Sequence, residues 1–161
     1  MTRKFLICDG DAVREASPDE LLRGAAALLS QRFRRGTPVL ESPDLTRQYL
    51  RHQIGTLPYE VFGLLLLDTR HRLIHSETLF RGTIDGASVH PREVARVILE
   101  ANAAAVILFH NHPSGETSPS VADELITQRL RETLSLLDVR VLDHLIIGEG
   151  REYSFAESGR L

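Results

Sequence analysis

The run AAAVILFH, residues 103–110, is apolar without a break until its last residue. A strand with one wet face alternates apolar and polar positions, whereas an unbroken apolar run is what a strand covered on both faces requires. The run therefore predicts a central strand in a sheet with helices packed against it. It leads directly into HNHPSGETSPSVAD, residues 110–123, so the buried strand ends on a histidine and opens into a polar bend.

The remaining segments supply the helices and the other strands. Ser17-Pro18, Ser42-Pro43 and Ser118-Pro119 each read as a helix start, with serine as N-cap and proline at the first helical position. The third precedes SVADELITQRLRETLSLL, which carries Leu125, Ile126, Leu130, Leu134 and Leu137 on one side. A further helix is predicted from Pro91 through REVARVILEANA. YEVFGLLLLD (59–68), the turn Thr69-Arg70-His71 and RLIHSETLF read as a hairpin, and VRVLDHLIIG (139–148) with REYSFA completes the sheet. The order predicts an α/β fold, a mixed central β-sheet flanked by helices. Residues 1–40 read as an N-terminal helical lead-in and residues 41–161 as the main domain.

With 161 residues, 42% of them apolar, the chain can bury one good core. No apolar run approaches the roughly 18–20 residues of a membrane span, and MTRKFLICDGD lacks the long apolar segment and cleavage site of a secretory signal. Cys8 is the only cysteine, which excludes internal disulfides and multi-cysteine zinc sites. These features point to the cytoplasm and to no membrane partner; they leave the oligomeric state open. A net charge of −3 argues against general attraction to nucleic acid. Arg32, Arg34 and Arg35 nonetheless cluster in QRFRRG, which suits either a helix C-terminus or a nucleic-acid contact.

His110 and His112 are two residues apart, and strand side chains two apart point the same way. Pro113 favours extension at His112, because a residue preceding proline avoids the helical region. Gly115 provides the reversal. Asp123 then falls in the first turn of the next helix, about one turn after Ser120, where the helix N-terminus favours a carboxylate. Two neutral imidazoles and one carboxylate, with water in the fourth position, make an open tetrahedral Zn2+ site with ligands at ~2.0–2.2 Å. Zinc lowers the pKa of such a water from 15.7 to about 7. Ligands without sulfur also leave manganese, iron or cobalt open. His52, His71, His75 and His90 read as ordinary surface or core residues.

Two look-alikes are excluded. Three adjacent letters "HNH" are not the dispersed motif of the HNH nucleases. A zinc nucleoside deaminase needs cysteine ligands that this chain lacks.

His-x-His, seven residues, Ser, two residues, Asp resembles the JAMM signature of JAB/MPN-domain metalloproteases. HNHPSG followed by PSxxD, with DHLIIG and YSFAE downstream, is similar to the bacterial RadC branch, in a short, prophage-like form. The resemblance covers roughly residues 40–161; residues 1–40 show no clear counterpart to the helix-hairpin-helix region of longer RadC proteins. It implies a JAB/MPN, cytidine-deaminase-like architecture with His110, His112 and Asp123 as metal ligands. It also implies hydrolysis of a peptide or isopeptide bond by a metal-activated water. Glu60, in the family's E-V-x-G-L context, would be general base and proton shuttle. Independently, Glu60 opens an apolar strand where an unpaired carboxylate is costly. Its plain reading is a strand-end surface residue, and Glu77 is its competitor. Ser120 would donate to the developing oxyanion, or simply cap the helix. Asn111 is usual in the bacterial branch. Asp143-His144 reads either as support for a metal-binding histidine or as a structural polar pair. The implied partner is a peptide or protein substrate. The RadC name and the arginine cluster keep an alternative in view, a DNA-associated repair or recombination accessory using the fold as a binding module.

Overall fold

A computed structural model of the chain describes residues 5–9, 12–32, 35–37, 39, 43–82 and 89–161. Its strands are β1 (Leu6–Asp9), β2 (Ala12–Glu15), β3 (Val61–Leu67), β4 (Leu73–Arg81), β5 (Ala105–Asn111), β6 (Arg140–Ile147) and β7 (Glu152–Ser154). Its helices are α1 (Pro18–Arg32), α2 (Pro43–Ile54), α3 (Pro91–Glu100) and α4 (Val121–Ser135).

The unbroken apolar run becomes β5, buried along its whole length at the centre of a five-stranded sheet ordered β4-β3-β5-β6-β7. β5 runs antiparallel to β3 and parallel to β6, so the sheet is mixed and the expected α/β class is observed. Parallel neighbours cannot be joined by a tight turn, and α4 makes the crossover between β5 and β6. On one face Leu65, Ile107, Phe109 and Leu145 pack with Leu50 and Ile54 of α2. On the other, Leu64, Val106 and Leu108 pack with Val94 and Ile98 of α3 and Leu130 and Leu134 of α4. Alternation along β5 places His110 on this second face, at the end that α4 covers. Gly63 makes room for a large neighbour, since a Cβ there would lie 2.3 Å from the Phe109 ring.

Three details depart from the sequence reading. First, α4 starts at Val121 with Ser120 as its N-cap, not Ser118. The backbone N–H and hydroxyl of Ser118 both donate to the Glu116 carboxylate, so that serine organises the bend instead. Second, Leu125 is 67% exposed and Leu137 is also exposed, while the inward stripe of α4 is Asp123, Thr127, Leu130 and Leu134. Counting apolar residues alone misplaces the stripe because its first two members are polar. Third, residues 1–40 contain an antiparallel hairpin, with Leu6 opposite Glu15, in addition to α1. Ser17 caps α1 as its sequence suggests, exchanging hydrogen bonds with Glu20. Ser42 and Arg34 lie outside the described residues. Among the described residues no helix is long and apolar enough to cross a membrane.

Candidate metal centre

His110 is the penultimate residue of β5 and is buried, 1% exposed. His112 lies just past the strand, where its N–H donates to the Ile147 carbonyl at 3.0 Å and keeps the backbone extended beside β6. The chain then reverses through Gly115, whose φ of +81° lies in the left-handed region that glycine tolerates best. The reversal brings the Glu116 carbonyl to 2.7 Å from His112 Nδ1. Gly148 lets this bend rest on the end of β6, because a Cβ there would stand 2.4 Å from the Gly115 carbonyl oxygen. The Glu116 carboxylate gathers Thr117 N–H as well as both Ser118 donors.

The bend delivers the first turn of α4 against the two imidazoles. Ser120 and Asp123 form a capping box: Asp123 N–H donates to Ser120 Oγ at 3.1 Å, and Ser120 N–H donates to Asp123 Oδ2 at 2.8 Å. The Ser120 hydroxyl donates to the same oxygen at 2.7 Å. Asp123 Oδ1 is 3.2 Å from His110 Nε2, Oδ2 is 3.4 Å from His112 Nε2, and the two Nε2 atoms are 2.9 Å apart. The three residues that the sequence nominated as ligands therefore converge on one point. Ligands ~2.0–2.2 Å from a tetrahedral ion stand about 3.3–3.6 Å from one another. One ligand atom from each residue lies within 4.8 Å of the others, and the Nε2 pair would open by a few tenths of an ångström to reach this spacing. The donor set, two imidazole nitrogens and a carboxylate oxygen, suits a divalent ion.

The electrostatics are those of a site built around positive charge. Burial alone would push the Asp123 carboxyl up, but the adjoining imidazoles of His110 and His112 and the hydrogen bonds from Ser120 hold it well below the usual carboxylate range. The bond to Asp123 raises His112, against desolvation and with help from the Glu116 carbonyl. His144, fully buried, is pushed well below the imidazole range by desolvation and stays neutral.

Glu60 immediately precedes β3 and is half-buried. Phe62 is the partner of His110 in the antiparallel pair, so Glu60, two residues earlier, sits towards His112 and its charge acts on that ring. The Asn111 side chain brackets it: Oδ1 accepts from Val61 N–H at 2.8 Å and Nδ2 donates to the Tyr59 carbonyl at 3.1 Å. Gly82 N–H donates to the carbonyl of Glu60 itself at 2.9 Å. Glu77, the competitor, is on the edge strand β4 and pairs with His75 at 3.1 Å. His52, His75 and His90 are exposed, and His71 contacts Arg140.

Asp143 and His144 divide the two readings left open for them. Asp143 accepts from His144 N–H, Ala156 N–H and the Ser154 hydroxyl, tying β6 to the C-terminal turn. It is the histidine that reaches the ligands, with Nε2 2.8 Å from His110 Nδ1 and Nδ1 2.6 Å from Thr127 Oγ1. Thr127 went unnoticed in the sequence. Its signal was its spacing, four residues after Asp123 on the same side of α4.

The chain matches the RadC-like JAB domain over residues 40–160. It is 59% identical to a UPF0758 protein of Nitrosococcus oceani over 133 residues, 83% of this chain and 59% of that protein. With a UPF0758 protein of Vibrio cholerae it shares 54% over 143 residues, 89% of this chain and 90% of that protein. With one of Marinobacter nauticus it shares 51% over 158 residues, 98% of this chain and 70% of that protein, so that likeness extends through nearly all of residues 1–40. The chain thus spans well under two thirds of the Nitrosococcus relative it matches. Matched across most of its length by the domain and by these relatives, the chain belongs to the RadC-like JAB domain family.

Proposed function

We propose that the chain is a zinc-dependent hydrolase of the JAMM type that cleaves a peptide or isopeptide bond in a protein substrate. The observation that carries the reading is the convergence of His110 Nε2, His112 Nε2 and the Asp123 carboxylate at a strand tip, where the charge of Glu60 also acts on His112. A divalent ion held by these ligands supplies Lewis acidity and a water acidic enough to lose its proton near neutrality.

The chain's own residues do the rest. Glu60 takes the proton of the attacking water and passes it to the leaving nitrogen. Asn111 fixes the backbone on both sides of Glu60, so the carboxylate acts from a held position. Ser120 donates to the developing oxyanion. Its Oγ stays anchored by Asp123 N–H while its proton turns outward, and Asp123 Oδ2 then keeps the Ser120 backbone N–H.

The test is metal content by mass spectrometry together with cleavage of a peptide and isopeptide library. Wild type should carry about one divalent ion and cleave part of the library, and Glu60→Gln should keep the metal but lose roughly 10²–10⁴ in rate. Natively purified protein without metal or activity would overturn the reading.

A further inference from the structure

The proton positions around the site follow from hydrogen-bond bookkeeping. Thr127 Oγ1 lies 2.5 Å from the Asp123 carbonyl oxygen, a separation two oxygens reach only with a proton between them. The hydroxyl has one proton, so it is committed there, and towards His144 Nδ1 at 2.6 Å the oxygen can only accept. His144 Nδ1 therefore carries the proton of that ring. His144 is completely buried, edge-on to Phe62 and stacked on Phe155, and as a neutral ring it presents a bare lone pair at Nε2. His110 Nδ1, 2.8 Å away, must donate to it. That leaves His110 Nε2 without a proton, aimed at His112 and Asp123. His112 spends Nδ1–H on the Glu116 carbonyl, and when protonated it donates from Nε2 towards the bare Nε2 of His110, 2.9 Å away.

We propose that Thr127 and His144 are positioning residues. Together they form a one-directional relay that fixes His110 as its Nδ1–H tautomer and presents Nε2 to a metal. The relay starts on the backbone of one ligand, Asp123, and ends on the ring of another, His110. It therefore sets the helix that carries the carboxylate and the imidazole that faces it as one unit. A histidine ligand usually has its second nitrogen held by a carboxylate, carbonyl or water. Here a second histidine does this, and it is ambivalent by itself, since a neutral imidazole donates from either nitrogen. Thr127 removes the ambiguity. This inference rests on the reading of His110, His112 and Asp123 as metal ligands.

Two measurements test it on the full chain. The first is the tautomeric state of His110 and His144 in metal-free wild type at pH 8.5, from nitrogen-15 shifts of the imidazoles. Both rings should carry their proton on Nδ1, and a proton on His110 Nε2 would overturn the relay. The second is zinc affinity by chelator competition for Thr127→Val and Thr127→Ser. Valine keeps the shape without the hydroxyl, so zinc affinity should fall about 10–100-fold and the His110 proton should redistribute towards Nε2. Serine should restore both. Wild-type affinity and an unmoved tautomer in Thr127→Val would reduce the contacts to packing. If wild type binds no zinc, the ligand reading fails, and the tautomers of the metal-free protein still decide the relay. If Thr127→Val does not fold, the wild-type tautomers and Thr127→Ser decide it.

Discussion

Ser120 Oγ is both acceptor and donor to Asp123, receiving its backbone N–H at 3.1 Å and giving its own proton to Oδ2 at 2.7 Å. The carboxylate that faces the two histidines is thus also the one that closes the capping box of α4. The cap and the proposed oxyanion role of Ser120 are separable, because glycine is nearly as good an N-cap as serine. Ser120→Ala should lower stability by about 1 kcal/mol, and Ser120→Gly by only a few tenths. Both should lose about 10²–10³ in turnover. Thermal denaturation alongside initial rates checks this, and a fully active glycine variant would leave Ser120 with the cap alone.

Asn111 lies between the two histidines in the chain, but its side chain bonds to the backbone on either side of Glu60. Asn111→Ala leaves the Val61 N–H and the Tyr59 carbonyl without their partner. Each buried group so stranded costs about 1–3 kcal/mol. Asn111→Asp keeps the bond from Val61 but cannot donate to Tyr59. Both variants should lose more turnover than zinc affinity, because the backbone that carries Glu60 loosens while His110, His112 and Asp123 stay in place. Equal losses in chelator competition and in rate would contradict that division.

The sequence made the sheet and the ligands legible for the same reason. An unbroken apolar run has only one comfortable place, and the polar residues at its end inherit a fixed direction from it. His110, His112 and Asp123 could be read from spacing because strand alternation and the helical turn act over a few residues. His144 could not be read in this way, and Thr127 only for its place one turn after Asp123, not for its bond to His144. They are 34 and 17 residues from their neighbours His110 and His144, so the fold, not local periodicity, brings them together. The inward stripe of α4 was misplaced because Leu125 looks buried by composition, while Asp123 and Thr127 occupy its place for the sake of the site. The hairpin in residues 6–15 was missed because strands of four residues carry too little pattern to be distinguished.

Asp143 should matter for stability and not for metal. Asp143→Ala leaves the donors of His144 N–H, Ala156 N–H and Ser154 without an acceptor and should destabilise by about 1–3 kcal/mol or more. Asp143→Asn keeps an oxygen for the two N–H groups, can donate to the Ser154 hydroxyl and removes a desolvated charge. Its stability at pH 7 should lie within about 1 kcal/mol of wild type. Zinc affinity should be unchanged in the asparagine variant, and a drop comparable to that of Thr127→Val would mean that Asp143 acts on the ligands after all.

The pH dependence of stability should change sign with metal. In the metal-free protein His112 is raised, first by its bond to Asp123 and despite desolvation. A histidine raised on folding binds its proton more tightly in the native state. Its contribution is fully present below the unfolded value of about 6.5 and is lost as pH climbs through the raised folded value. Asp123, held well below the usual range, stays ionised throughout that window and adds no slope of its own. Zinc needs the same Nε2 without its proton, so its stabilisation grows over the pH range in which the proton's disappears. Below about pH 6.5 the buried, lowered His144 adds a slope of the opposite sign, so the window that isolates His112 lies above it. Melting temperatures from about pH 7 to 8.5 should therefore show a His112-dependent fall with rising pH in chelator and a rise in saturating zinc. His112→Asn should flatten the first trend and most of the second. Parallel curves with and without zinc would mean that the proton and the metal do not compete for His112.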